Sequence, residues 1–360
     1  MKFNIKERDS NIELIRIFSM LLIIGHHLIL HGFNVYVNDP YNKKEYGYKA
    51  HVSLFFKSGG KIGVNLFFII SGYFYINKKT ISLAVVIWET IFYGILSAII
   101  GLLSVKFGYE LYNISKKDFN KRNILLIFNP VTGSVYWFVT VYVMIIAFSP
   151  NMNKFLKKLN KIGYTLFLLL FYGLWYIFSF KYKSNYIEIK NALFFYCLGG
   201  FFRLHMKKSN LVFIFIDLFI AVLGFYLSME VRAIKFIIGY VLSSFGIFRF
   251  FEGLNIGSII FINLISQSTF AVYLIHDSLT SKNFIWKTFM NCNSIYKSNL
   301  FMLYVLIIIF SIFFICILID IFQKKFIEPY ALNIGIKISI YLKSKFFNIE
   351  NEEVRISTTN

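Results

Sequence analysis

Long apolar runs broken by short polar segments recur from one end of this chain to the other. Runs at residues 11–31, 62–77, 80–105, 135–150, 162–180, 187–205, 211–229, 233–251, 266–289 and 300–322 each predict a helix that lipid would accept. Several are near or below the usual 20 residues, and 256–265 reads as an extra short or interfacial helix. The expectation is an all-α, polytopic integral membrane protein of about ten transmembrane helices, with eleven as the alternative count. The membrane domain spans 1–322 and a cytoplasmic tail spans 323–360.

Composition supports one membrane domain. The chain is 57% hydrophobic with a mean hydropathy of +0.63, yet carries 38 Lys and Arg against 18 Asp and Glu. That basic excess, +20 overall, is spread through the loops and not gathered into one stripe, so it points to anionic headgroups and not to nucleic acid. Basic residues divide almost evenly between the two sides of a ten-span layout. Their density in short connections favours a multi-pass cell-membrane protein with both termini in the cytoplasm and long outer loops at 32–60 and 106–134.

The first span is no cleavable leader, because Glu13 and Arg16 sit within it and no small-residue cleavage pattern follows. Cys197, Cys292 and Cys316 are too few and too scattered for a disulfide framework or a thiolate metal site. Asn113-Ile114-Ser115 fits a glycosylation acceptor, a pattern common by chance.

Chemistry concentrates in the first span. Arg16 and His27 are eleven residues apart, about three helical turns, so they share one stripe at about 16 Å along the axis. Glu13 and His31 lie on neighbouring parts of that face, while His26 points about 100° away. An imidazole deep in a span needs a protein partner, and a neutral one can relay a hydroxyl proton during acyl or phosphoryl transfer. His27 and His31 have the spacing of a two-histidine metal site, but a third ligand is lacking and no metal is expected.

Two further segments stand out. Gly60 to Phe74 carries glycines at 60, 63 and 72 with Ser71, a pattern suited to close helix packing. Ser268 to Asp277 places His276 next to a carboxylate, either orienting a substrate or pairing with another span, or else standing in water at the outer boundary. Tyr136 and Trp137 read as an interfacial aromatic belt. Glu89 and Asp217 are mid-span carboxylates to which no motif gives a role.

Arg16, ten residues and then His27, the run Gly63 to Tyr73, Tyr136-Trp137-Phe138 ahead of Pro150, and the late Tyr273-Leu274-Ile275-His276 resemble the acyltransferase-3 family of membrane O-acyltransferases. The resemblance implies a ten-helix enzyme that moves an acyl group, usually acetyl, from cytosolic acyl-CoA (acetyl-CoA) to a hydroxyl of an envelope polysaccharide or its lipid-linked precursor. Carried over by motif, His27 is the catalytic histidine and Arg16 its partner. Glu13 takes the place of the acidic residue three before the arginine. Asn65 stands where many members have Asp.

The basic pair that usually enters the third span is matched only loosely by Lys78 and Lys79. The 38 residues after the last span leave no room for the hydrolase-like domain of some members, so transfer is expected to be finished by the membrane domain or by a separate envelope-biosynthesis partner. His27 would serve as general base or transient acyl carrier. Glu13 would pair with Arg16 or meet the donor, Ser71 is the candidate oxyanion donor, and Asn65 and His276 are candidate substrate contacts. The competing readings are a transporter or flippase for polysaccharide or lipid-linked sugar, and a membrane polysaccharide polymerase. Neither would consume acyl-CoA, and no repeat relates the two halves of the chain.

Overall fold

The computed structural model describes residues 9–33, 47–78, 83–106, 136–181, 187–229, 233–278, 285–286, 290, 292–331, 333–335 and 337. All regular structure among them is helical. The helices are α1 Ser10–His27, α2 Tyr48–Tyr75, α3 Ala84–Lys106, α4 Trp137–Leu156, α5 Lys161–Lys181, α6 Ile187–His205, α7 Leu211–Met229, α8 Ala233–Gly253, α9 Ile260–Ser266, α10 Thr269–His276, α11 Cys292–Lys297 and α12 Phe301–Phe326. A π-helical turn, Leu28–Gly32, extends α1.

Lipid is the solvent these helices fit. α7 buries Asp217, Ala221, Gly224 and Ser228 while turning Phe213, Phe215 and Phe219 outward, with Phe219 66% exposed. A helix in water would do the reverse; in a bilayer small and polar groups face protein. Among the described residues five helical stretches are long and apolar enough to cross: Ser10–Gly32, Tyr48–Tyr75, Ala84–Leu103, Leu211–Met229 and Phe301–Phe326. Five is the number of described stretches that meet this length and composition test, against the expectation of about ten.

α1 occupies the middle, packed along α2 and touching α8, α9, α10 and α12. It begins cleanly because Asp9 caps it, its carboxylate accepting from the Asn11 amide, and Glu13 complements the positive end of the helix dipole. Ser10 ties that start to the chain before α9, donating to Asn263 at 2.8 Å and accepting from the Ile259 amide at 2.7 Å. Small residues set the spacing of the neighbours. A Cβ at Gly63 would lie 2.6 Å from the Ser19 carbonyl oxygen of α1, and one at Gly72 only 1.9 Å from the Tyr196 carbonyl oxygen of α6. The glycine run therefore seats α2 against two helices at backbone contact.

Three boundaries differ from the sequence expectation. α2 starts at Tyr48, so half of the expected loop 32–60 is helix. Its 28 residues make a rod of about 42 Å, longer than a hydrocarbon core. The extension is anchored where Lys49 donates to the Tyr296 carbonyl at 2.6 Å and Tyr48 to that of Asn299 at 3.1 Å.

The expected span 266–289 is no single helix: α9 ends at Ser266, α10 starts at Thr269 and stops at His276. Ser266 and Gln267 both donate to the Asn263 carbonyl, and Thr269 to that of Ser266, which satisfies the broken turn with side chains. α12 runs to Phe326, past the expected span end at 322, and brings Lys324 against Glu89 of α3. Residues 107–134 of the expected loop 106–134, with Asn113, and residue 79 of the Lys78–Lys79 pair lie outside the described residues.

Candidate functional site

Three helices bring the site together. α1 carries Arg16 near its start and His27 at its end, α10 carries His276 at its last residue, and α4 opens with Trp137 and Phe138. Tyr136 fastens α4 to α10 by donating to the Leu274 carbonyl at 3.1 Å.

His27 and His276 meet directly, Nδ1 to Nε2, at 2.9 Å in a buried contact. The second nitrogen of His276, Nδ1, faces the Val272 carbonyl one turn back. A carbonyl only accepts, so His276 Nδ1 carries the proton and, in the neutral ring, His276 Nε2 is an acceptor. His27 Nδ1 must then be the donor. That leaves His27 Nε2 unprotonated, the tautomer a general base requires.

Asp277 adds negative potential to this pair: its Oδ1 lies 3.7 Å from His27 Nδ1 and 3.7 Å from His31 Nε2. His31 reaches it because it sits on the π-helical turn, a feature frequent at functional sites. His26 turns away from this cluster and meets the Lys57 carbonyl at 2.9 Å.

Two cavities flank the stripe between Arg16 and His27. The larger, about 460 Å³, is lined by Arg16 together with Ser71, Tyr142, Glu89, Lys324 and Glu328, among others. The smaller, about 30 Å³, holds His27 behind Met20, Val64, Trp137 and Tyr273. Phe67, Phe138 and Phe270 line both, so three aromatic side chains stand between them. Arg16 is braced by Glu13, whose Oε2 is 3.6 Å from Nε, and by the ring of Phe74 at 5.7 Å.

The wall facing Arg16 comes from α3 and α12, whose polar residues carried no motif. Lys324 Nζ is 3.3 Å from Glu89 Oε1, donates to Asp320 at 2.7 Å and reaches the Gln267 carbonyl at 2.9 Å. Tyr93 closes the cluster by donating to Asp320 at 2.8 Å. Beyond the end of α12, burial raises the Glu328 carboxyl above its ordinary value and Lys324 opposes that rise. The available signal was the pair of i, i+4 spacings, Glu89 with Tyr93 and Asp320 with Lys324, inside two apolar helices.

Of the expected site residues, the fold gathers His27 with His276 and Arg16 with Glu13 and Ser71. Ser71 lines the Arg16 cavity and donates to the Phe67 carbonyl at 2.8 Å, so its proton is directed into its own helix. Asn65 lines neither cavity; it bridges helices, donating to Ser244 at 3.3 Å and accepting from Asn191 at 3.4 Å. Trp137 lines the His27 cavity, with Lys61 Nζ 5.8 Å from its ring, and Tyr136 is buried in the protein. Asp217 accepts from Ser209, which in turn accepts from Arg249 at 2.8 Å, in a buried network with Glu252. Among the described residues no three His, Cys, Asp or Glu side chains are grouped to hold a metal ion.

The helices, their lipid-facing surfaces, a buried histidine pair and a separate arginine-lined cavity describe a membrane protein with a polar interior. The sequence matches the acyltransferase-3 family, an acyltransferase domain, over residues 9–321, and the chain belongs to that family. It is thus a membrane acyltransferase. No curated protein and no solved structure matches it.

Proposed function

We propose that this protein transfers an acetyl group from cytosolic acetyl-CoA to a hydroxyl of an envelope polysaccharide or its lipid-linked precursor. The observation that carries this reading is the hydrogen-bonded chain from Val272 through His276 to His27, which leaves His27 Nε2 basic. With the termini in the cytoplasm, Arg16 and the 460 Å³ cavity stand on the donor side. Arg16 attracts the anionic nucleotide end of the donor, and the thioester follows α1 towards His27 over about 16 Å.

In the reaction His27 Nε2 takes the proton of the acceptor hydroxyl as its oxygen attacks the thioester carbonyl carbon. A C–O bond forms and the C–S bond breaks. The imidazolium then returns its proton to the departing CoA thiolate, so the enzyme ends as it began. His276 accepts from His27 Nδ1 throughout and stabilises the imidazolium as a second base would. Asp277, 3.7 Å from His27 Nδ1, favours the same charge.

The test is transfer of radiolabelled acetyl from acetyl-CoA in membranes holding the protein, with the host's envelope glycans as acceptors. Label in the glycan together with stoichiometric free CoA thiol is the expected result. Movement of glycan across the membrane without consumption of acyl-CoA would replace this reading with the transporter.

A further inference from the structure

The acyl group itself has to reach His27, and the space there is small. The His27 cavity measures about 30 Å³, room for about two waters or for the carbonyl and methyl of an acetyl group. The cavity on the Arg16 side is about 460 Å³, so bulk is tolerated up to the three phenylalanines and not beyond them.

The partition has a fixed half and a half with slack. Phe138 is buried and its ring is held on several sides, with centroids 5.3 Å from Phe68, 5.6 Å from Tyr273, 5.9 Å from Tyr142 and 6.2 Å from Trp137. Phe67, 6.1 Å from Phe138, and Phe270 are only partly buried. A longer chain at His27 must displace packed rings, and packed interiors resist even one added methylene.

Resting on the acyltransferase reading, we infer that Phe67, Phe138 and Phe270 form a size filter that restricts the transferred group to acetyl. Phe67 and Phe270 are its adjustable members. They act as specificity-determining residues: they shape where the acyl group sits, and proton transfer stays with His27.

The experiment compares kcat/KM for acetyl-, propionyl- and butyryl-CoA in wild type, Phe270→Ala and Phe67→Ala at equal membrane levels. Wild type is expected to lose about 10- to 200-fold for each added methylene, the range a tight apolar pocket gives. Each substitution is expected to improve butyryl relative to acetyl at least tenfold, and Phe270→Leu or Phe67→Leu serves where an alanine variant does not fold. Equal use of all three donors by wild type would overturn the filter, as would unchanged donor ratios in folded variants at both positions. Transfer from none of the donors would instead contradict the acyltransferase reading itself.

Discussion

A single carbonyl decides which nitrogen of His27 is basic. Val272 accepts from His276 Nδ1, His276 accepts from His27, and Nε2 is left to receive a proton. The chain of three partners predicts an asymmetric response at position 276. His276→Gln can place an amide oxygen where the ring nitrogen accepts, and is expected to keep most of kcat. His276→Leu removes the acceptor and lets His27 adopt the wrong tautomer, with an expected loss of roughly 10²- to 10⁴-fold in kcat and little change in KM for the donor. A role confined to packing would lower the amount of protein in the membrane and leave kcat per molecule alike in both variants. The register that makes this possible was legible in the sequence, since eleven residues of helix put Arg16 and His27 on one stripe. The contact to His276 was not, because Leu274-Ile275-His276-Asp277 reads equally well as the wet end of a span.

At the scale of helices, spacing and charge are set by different residues. The glycine run of α2 was readable as a packing surface, and Gly63 and Gly72 meet backbone on α1 and α6. The clamp between α3 and α12 was unreadable, because Lys324 at the end of an apolar run looks like a headgroup anchor until α3 brings Glu89 to 3.3 Å. Asp320 is fully buried, so Lys324→Met strands it together with Glu89. The expected cost lies toward the lower end of roughly 3–5 kcal/mol, since Lys324 faces the cavity and keeps some solvent. Thermal unfolding in detergent checks this: Lys324→Met is expected to lower Tm more than the double variant with Glu89→Gln, in which one stranded charge is gone. Equal Tm values for wild type and Lys324→Met would show that the clamp contributes no stability. The break between α9 and α10 had a local signal in Gln267-Ser268, outweighed in the sequence by apolar runs on either side.

Across the whole molecule, a cavity at the Arg16 end and a much smaller one at the His27 end share a wall of three rings, with α1 running past both. That layout suits a reaction whose donor is large and anionic and whose transferred group is small. Lipid-facing helices such as α7 were identifiable from composition, whereas the burial of Tyr136 and the place of Trp137 in a cavity wall were not, because aromatic residues at a span's start fit both a belt and a cavity wall. The most direct test of the account is acetyl transfer from labelled acetyl-CoA to envelope glycan, measured for wild type and His27→Ala at matched levels in the membrane. The account predicts label in glycan with wild type and a fall of at least about 10²-fold with His27→Ala. Transfer by His27→Ala at the wild-type rate would contradict it.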